Sequence, residues 1–364
     1  MTDKQISKLF SAQRDAVIGV RDTAVVFFNA AASQQFPDLT VGLSAADVLP
    51  PVVLEIEEES FSTSTLVRET LYTILGARVE DLLIYTLIPQ VKEMDAQGGQ
   101  LLERVSGTMR RTLTVLNMAT EYLMPMIDQI DEPRQRANLM VLNKAYYQLQ
   151  RLCDNLDYHF RLSEGQARLF LEELDLVRFC RDIAQSVDHF AKRVGARVRF
   201  KAELSHLRAS IDQQKMTKLV LNLISNSLTH MDAGGSLTLS LSRQNEDAIL
   251  TVRDTGRGIN PSHIRDVFTQ YKGSQSDTDI NAGVGLGLGI AQEIARLHGG
   301  TLFVTSDADR GTAVRVRIPV IQAGDSGVLQ EAPLPYREGD GGMQFILTEL
   351  SDVLDEGAFL GKYY

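Results

Sequence analysis

Asn222-Leu-Ile-Ser-Asn226, Asp254-Thr-Gly256-Arg-Gly258 and Gly283-Val-Gly285-Leu-Gly287-Leu-Gly289 are the stretches whose reading decides the fold. The first lies in an apolar helical run near 212–229, where Lys218, Asn222, Asn226 and Thr229 fall at i, i+4, i+8 and i+11 on one stripe. Such a stripe must be satisfied by internal hydrogen bonds, by solvent, or by the contents of a wet cavity. Asp254 ends the expected strand Ala248–Arg253, where a carboxylate can accept a hydrogen bond from an adenine amino group. Gly256 and Gly258 let the backbone approach a bound molecule closely. The alternate glycines 283–289 run into a helix at Ile290–Leu297, and N–H groups at such a loop and helix start suit phosphate. Mg²⁺ takes oxygen ligands and shares them with phosphates, which makes Asn226 the candidate metal ligand. The set is what an adenine nucleotide and its metal require.

Other nucleotide motifs are absent. The dinucleotide fingerprint fails because Leu288, Ile290 and Gln292 stand where glycines would be needed, and no Gly-x-x-x-x-Gly-Lys loop exists. His298-Gly299-Gly300 reads as a helix C-terminus, so His298 is expected to be structural.

A chain of 364 residues is too long for one ordinary domain. Its formal net charge of −10 argues against a nucleic-acid partner. Cys153 and Cys180 sit in no metal-ligand spacing and suit a reduced compartment. The polar start Met1-Thr-Asp-Lys and the absence of an apolar run near the ~20 residues of a membrane span predict a cytoplasmic chain.

Four segments follow from composition and periodicity. Residues 1–93 read as mixed α/β: strands at Ala16–Val20 and Ala24–Phe28, a helix start at Asn29, and strands at Leu66–Leu75 and Val79–Ile88 turning about Gly76. Residues 94–165 read as two helices interrupted at Pro125. Leu101, Leu102, Val105, Met109, Leu113, Leu116 and Ala119 form one apolar stripe. Leu139, Leu142, Ala145, Tyr146, Leu149, Leu152, Leu156 and His159 form the other. A hairpin that dimerises into a four-helix bundle buries both. Residues 166–322 mix helices with alternating strands (Leu237, Leu239, Leu241; Val314, Val316, Ile318), and 323–364 form a tail with an amphipathic helix around Phe345, Ile346, Leu350 and Val353.

In its order of elements the first segment resembles a PAS sensor domain, with Asn29 and Ala30 in the family's asparagine-then-small-residue position. Residues 166–320 resemble the ATP-binding domain of histidine kinases, within the superfamily shared with DNA gyrase, Hsp90 and MutL proteins. Asn222–Asn226 matches that family's N box, Asp254–Gly258 its G1 box, Val267-Phe268 its F box and Gly283–Gly289 its G2 box. The resemblance implies an α+β multidomain chain: a PAS-like α/β domain, a helical-hairpin dimerisation segment and an α/β-sandwich ATP-binding domain of the Bergerat or GHKL type. It implies ATP and Mg²⁺ as ligands. Asn222 and Asn226 would line the cavity, with Asn226 on Mg²⁺, and Asp254 would hold adenine. Gly256, Gly258, Gly283, Gly285 and Gly287 would serve the nucleotide and its lid. Lys272 is implied at the phosphates and Thr312 near adenine. One departure is Thr229, where the family carries a basic residue, which implies weaker ATP binding; His230 or Lys272 would compensate in part.

A second departure is chemical. Aligned with the family's first hairpin helix, Gly107 takes the phosphoacceptor histidine's place, Thr108 that of the acidic residue and Thr112 that of the proline. Phosphoramidate formation needs an imidazole nucleophile and a base, and Gly107 supplies no side chain. His159 is on the other helix. Three readings stand: an ATP-responsive pseudokinase of two-component signalling, a working kinase with an atypical or trans acceptor, and another ATPase of the superfamily. The hairpin placed directly before the ATP domain disfavours the third. The implied partners are a second copy of the chain and a response regulator or another histidine kinase.

Overall fold

The computed structural model describes residues 10, 13–56, 60–68, 70–89, 96–123, 133–163, 167–259, 286–307, 311–320 and 342–359. Chain order gives β1 (Ala16–Arg21), β2 (Ala24–Phe28), α1 (Ala30–Gln35), β3 (Ser60–Val67), β4 (Thr70–Val79) and β5 (Leu82–Pro89). The hairpin helices α2 (Ala96–Leu123) and α3 (Pro133–Ser163) follow. Then come β6 (Glu172–Asp175), α4 (Leu176–Ala191), β7 (Arg197–Ala202), β8 (Arg208–Ile211), α5 (Gln213–Thr229), β9 (Ser236–Gln244) and β10 (Asp247–Asp254). Last are α6 (Gly287–Leu297), β11 (Thr301–Asp307), β12 (Gly311–Pro319) and α7 (Gly342–Glu349).

One ten-stranded sheet runs β2-β1-β5-β4-β3-β11-β12-β10-β9-β7, and β6 pairs with β8 apart from it. The sheet's pairs are antiparallel except β7 with β9. The first segment thus joins the sheet of the second half edge to edge, with Thr63 opposite Phe303 and Ser62 opposite Val304. Thr63 Oγ1 also donates to the Leu302 carbonyl at 2.9 Å, and Phe303 is buried in the first segment's core.

Local chemistry explains several element ends. Asn29 caps α1 by accepting the Ala32 amide, accepts the Val17 amide, and donates Nδ2 to the Asp15 carbonyl. One amide side chain therefore ties β1 to the start of α1, a task an acceptor-only carboxylate cannot do. The β3–β4 and β4–β5 turns fall at Arg68 and Glu80, both at positive φ, and not at Gly76 as the sequence suggested. Gly76 lies within β4 opposite Phe61, and a Cβ there would lie 2.1 Å from the Phe61 ring. It is a packing glycine.

In the second half, Leu237, Leu239 and Leu241 of β9 and Val314, Val316 and Ile318 of β12 are buried as their alternation predicts. Helices α4, α5 and α6 contact this sheet. The C-terminal segment is not an appendage, as the expected 323–364 tail implied. Ile346, Leu347, Leu350, Leu354, Ala358 and Phe359 belong to the main core, which they share with α3, α4 and α5. Apolar residues spaced along 18 residues are enough to seat a short helix and turn against α3 and α5.

The hairpin stripes are only partly covered. Leu113 and Tyr146 are buried, whereas Val105, Leu142 and Leu149 of the expected stripes are exposed, as are Val115, Met118, Tyr122 and Val141. The break at Pro125 lies outside the described residues.

Candidate functional site

The site is built where the end of β10 meets α5. Asp254 is 5% exposed, and its carboxylate is held from three sides. Oδ1 accepts the Gly256 amide at 2.9 Å and the Thr312 amide at 3.0 Å; Oδ2 accepts the Ser227 hydroxyl at 3.0 Å. A carboxylate offers about four lone-pair sites, so one on Oδ2 is left for an outside donor. An exocyclic amino group fits that vacancy. Its direction is fixed because the carboxylate cannot turn without breaking backbone hydrogen bonds.

The glycines around it serve close packing. A Cβ on Gly256 would stand 2.6 Å from the His230 carbonyl oxygen, so the G1 turn lies directly on the C-terminus of α5. Gly258 has φ +68 and Gly311 has φ +90, a conformation that favours glycine. A Cβ on Gly311 would also meet the Asp254 carbonyl oxygen at 2.1 Å. The loop is stitched further: Thr255 Oγ1 accepts the Ser236 amide, and Ser306 Oγ accepts the Ile259 amide. Ser306 Oγ lies 2.9 Å from Thr312 Oγ1.

Asn222 is fully buried, and Gly287, the first residue of α6, packs on it: a Cβ there would lie 3.0 Å from Asn222 Oδ1 and 3.8 Å from Asn226 Oδ1. The two asparagines and the start of α6 thus form one corner. Lys218 lies on the same stripe, buried and paired with Glu349. Thr229 donates its hydroxyl to the Ser225 carbonyl, so it offers neither charge nor a free donor where a basic residue was expected. His230 contributes its backbone at the C-cap, its amide facing the Asn226 carbonyl. Val267, Phe268, Lys272, Gly283 and Gly285 lie outside the described residues.

His298 is structural, as read from the sequence. Its Nε2 accepts the Asp212 amide at 3.0 Å and its Nδ1 donates to the Ile294 carbonyl at 2.8 Å. Accepting at Nε2 requires the neutral ring, and burial holds its pKa below the usual imidazole value. Asp212 caps α5. Burial raises its pKa, but the Lys215 ammonium and the Phe170 and Lys215 amides prevail and hold it below the ordinary carboxylate value. The pair pins the start of the asparagine helix to the end of α6.

In the hairpin, Gly107 is exposed and a Cβ built on it meets nothing within 4 Å. Thr112 Oγ1 donates to the Thr108 carbonyl, and Arg110 pairs across the hairpin with Asp154. His159 is half-buried on α3, with its pKa lowered by burial. Cys153 and Cys180 are buried thiols outside any disulfide, and burial pushes both pKa values up.

Sequence reasoning missed Ser227, Gly311 and Arg151, whose Nη2 lies 3.5 Å from Asn222 Oδ1. Ser227 adjoins Asn226 but lies off the polar stripe. Gly311 ends an ordinary-looking turn. Arg151 is 71 residues from Asn222, and nothing local marks it.

The family of histidine kinase-, DNA gyrase B-, and HSP90-like ATPases matches residues 211–322. The sensor histidine kinase WalK of Bacillus subtilis is 28% identical over 277 residues, covering 74% of this chain and 44% of that protein. The alginate biosynthesis sensor protein KinB of Pseudomonas aeruginosa is 26% identical over 282 residues, covering 75% and 45%. Histidine kinase P4 of Formosa agariphila is 26% identical over 272 residues, covering 73% and 19%. The chain spans less than half the length of each of these relatives. Among solved structures, full-length ShkA in complex with AMPPNP is similar in fold, with a TM-score of 0.52 at 22% identity over 62% of this chain and 46% of that one. With an asparagine helix, a buried strand-end carboxylate and a glycine-opened α6 inside that match, residues 211–322 form a histidine kinase-, DNA gyrase B-, and HSP90-like ATPase domain, and about three quarters of the chain is similar to sensor histidine kinases.

Proposed function

We propose that this chain is an ATP-responsive, histidine-kinase-like regulator of two-component signalling whose own hairpin does not take the phosphoryl group. The observation that carries the reading is a contrast. Asp254 is oriented by three donors with one acceptor position left over, while Gly107 is a bare, exposed glycine.

Asp254 would accept the adenine amino group, with Ser227 and the Thr312 and Gly256 amides keeping its carboxylate in place. Asn226 would supply an oxygen to Mg²⁺, and Asn222 and the start of α6 would face the phosphates. The donor set suits a hard, oxygen-seeking ion that keeps most of its waters. ATP brings the transferable γ-phosphoryl; the chain's own part is to orient the nucleotide and to couple its presence to the hairpin, which touches α6 through α3. A ligand that favours one arrangement of these elements shifts their equilibrium by its differential affinity alone.

The first segment is assigned as a PAS-like sensor on its strand order and on the role of Asn29. Exposed Val115, Met118, Tyr122, Val141, Leu142 and Leu149 support a homodimer that covers both helices. A response regulator or another histidine kinase would read the hairpin. No described helix is long and apolar enough to cross a membrane, which supports a cytoplasmic assignment.

Incubation with γ-labelled ATP and Mg²⁺ tests the reading. The expected result is nucleotide binding with no acid-labile label on the chain. A label that disappears in His159→Gln would make the chain an active kinase with an atypical acceptor, and a label on an added partner would make it a trans kinase.

A further inference from the structure

Charged side chains from three distant segments meet beside Asn222. Lys218 Nζ of α5 lies 2.5 Å from Glu349 Oε1 of α7, both side chains 1% exposed. Arg151 of α3 places Nη1 2.5 Å from Asp352 Oδ2, Nε 3.7 Å from Glu349 Oε2 and Nη2 3.5 Å from Asn222 Oδ1. Two cations are thereby matched by two carboxylates of the C-terminal segment. The match is incomplete in hydrogen bonds. Arg151 Nε, Glu349 Oε2 and Asn222 Nδ2 are buried with no hydrogen-bond partner among the described residues. A 3.7 Å approach is too long for one. A buried charge network that leaves polar atoms unsatisfied is poorly suited to permanence.

Its position gives it a use. Asn222 is the residue on which Gly287 packs, so the Arg151 guanidinium adjoins the corner formed by the asparagines and the start of α6. That corner has no cation at Thr229, whose hydroxyl is spent on the Ser225 carbonyl. An arginine fork is the side chain best matched to phosphate oxygens, and this one is already held in place by Asp352.

We propose that Arg151 is the phosphate-facing cation of this site and that Glu349 and Asp352 hold it when no nucleotide is bound, so that the C-terminal segment competes inside the molecule with the nucleotide's phosphates. The inference rests on the nucleotide reading above. Adenosine, which carries no phosphate, would be recognised through Asp254 and be indifferent to the exchange. A triphosphate would draw the guanidinium away from Asp352 and loosen the segment's grip on α3.

The experiment is a pair of titrations of the full chain, with ATP and with adenosine in Mg²⁺, for the native protein, Asp352→Asn and Arg151→Gln. Asp352 is partly exposed, so its variant is expected to fold even if Arg151→Gln does not. Asp352→Asn should tighten ATP by about three- to tenfold and Arg151→Gln weaken it by about tenfold, the scale of one charge-assisted hydrogen bond, with adenosine unchanged. An ATP-to-adenosine affinity ratio that stays flat in Asp352→Asn overturns the inference and leaves the nucleotide reading intact. Adenosine and ATP both failing to bind any of the three proteins overturns both.

Discussion

The two ends of α5 hold their charges in opposite ways. At the C-terminal end, Asp254 is held by Ser227 and by the backbone amides of two glycine-marked turns, all within the domain. Near the other end, Lys218 is held by Glu349, 131 residues further on, and Arg151 by Asp352, 201 residues away. The first arrangement is fixed as soon as the sheet forms. The second exists only when the hairpin, the ATP domain and the C-terminal segment come together. The carboxylate proposed to recognise adenine thus rests on local supports, whereas a contact between segments that can separate would make a point of control.

Four measurements can break or sharpen that contrast. Glu349→Ala should have the largest effect, because it strands the fully buried Lys218 ammonium; a loss of about 3–5 kcal/mol in denaturant unfolding is expected. Replacing both partners, as Lys218→Met with Glu349→Leu, should recover most of that loss, and no recovery would mean the pair is not the cause. Asp254→Asn should cost about 1.5–3 kcal/mol of ATP affinity, roughly tenfold to over a hundredfold by calorimetry, while the fold survives. Equal binding by the variant would remove Asp254 from the site.

A pH titration separates the links to α5 further. His298 is buried neutral with its pKa below the unfolded value of about 6.5, so the stability it confers is present above that pH and lost as pH falls through the lower folded value. Protonation would displace the Asp212 amide, a loss of about 1–3 kcal/mol. Thermal melts between pH 7.5 and 5 should show that fall, and His298→Gln should flatten it; His159, lowered in the same direction, leaves a residual slope. The smallest effect belongs to Gly107→His. The position is open, so folding stability should change by no more than about 0.5 kcal/mol, since an exposed helical glycine is the poorer helix former. The same variant should gain an acid-labile label from γ-labelled ATP if Gly107 stands where a phosphoacceptor belongs.

How far the sequence could be read follows the same division. The asparagine stripe, the Asp254 turn and the alternating strands announce themselves because each depends on residues a few positions apart. His298 was readable as a cap from the two glycines after it. Gly76 was misread because a glycine between apolar runs signals a turn, while its actual constraint is the Phe61 ring across the sheet. The C-terminal segment carried apolar residues but no sign of which surface would receive them. Arg151 and Glu349 were silent altogether, since charges on helices normally face water and only the meeting of three segments makes them partners.

The pairing of β3 with β11 bears on any attempt to dissect the chain. It covers part of a strand edge that would otherwise present a row of free amides and carbonyls. Removing the first ninety residues would leave that edge bare, with Phe303 stripped of its neighbours beside it. A shortened catalytic fragment would then carry a ready template for self-association, and its solution behaviour would report the missing strand as much as the domain's own properties.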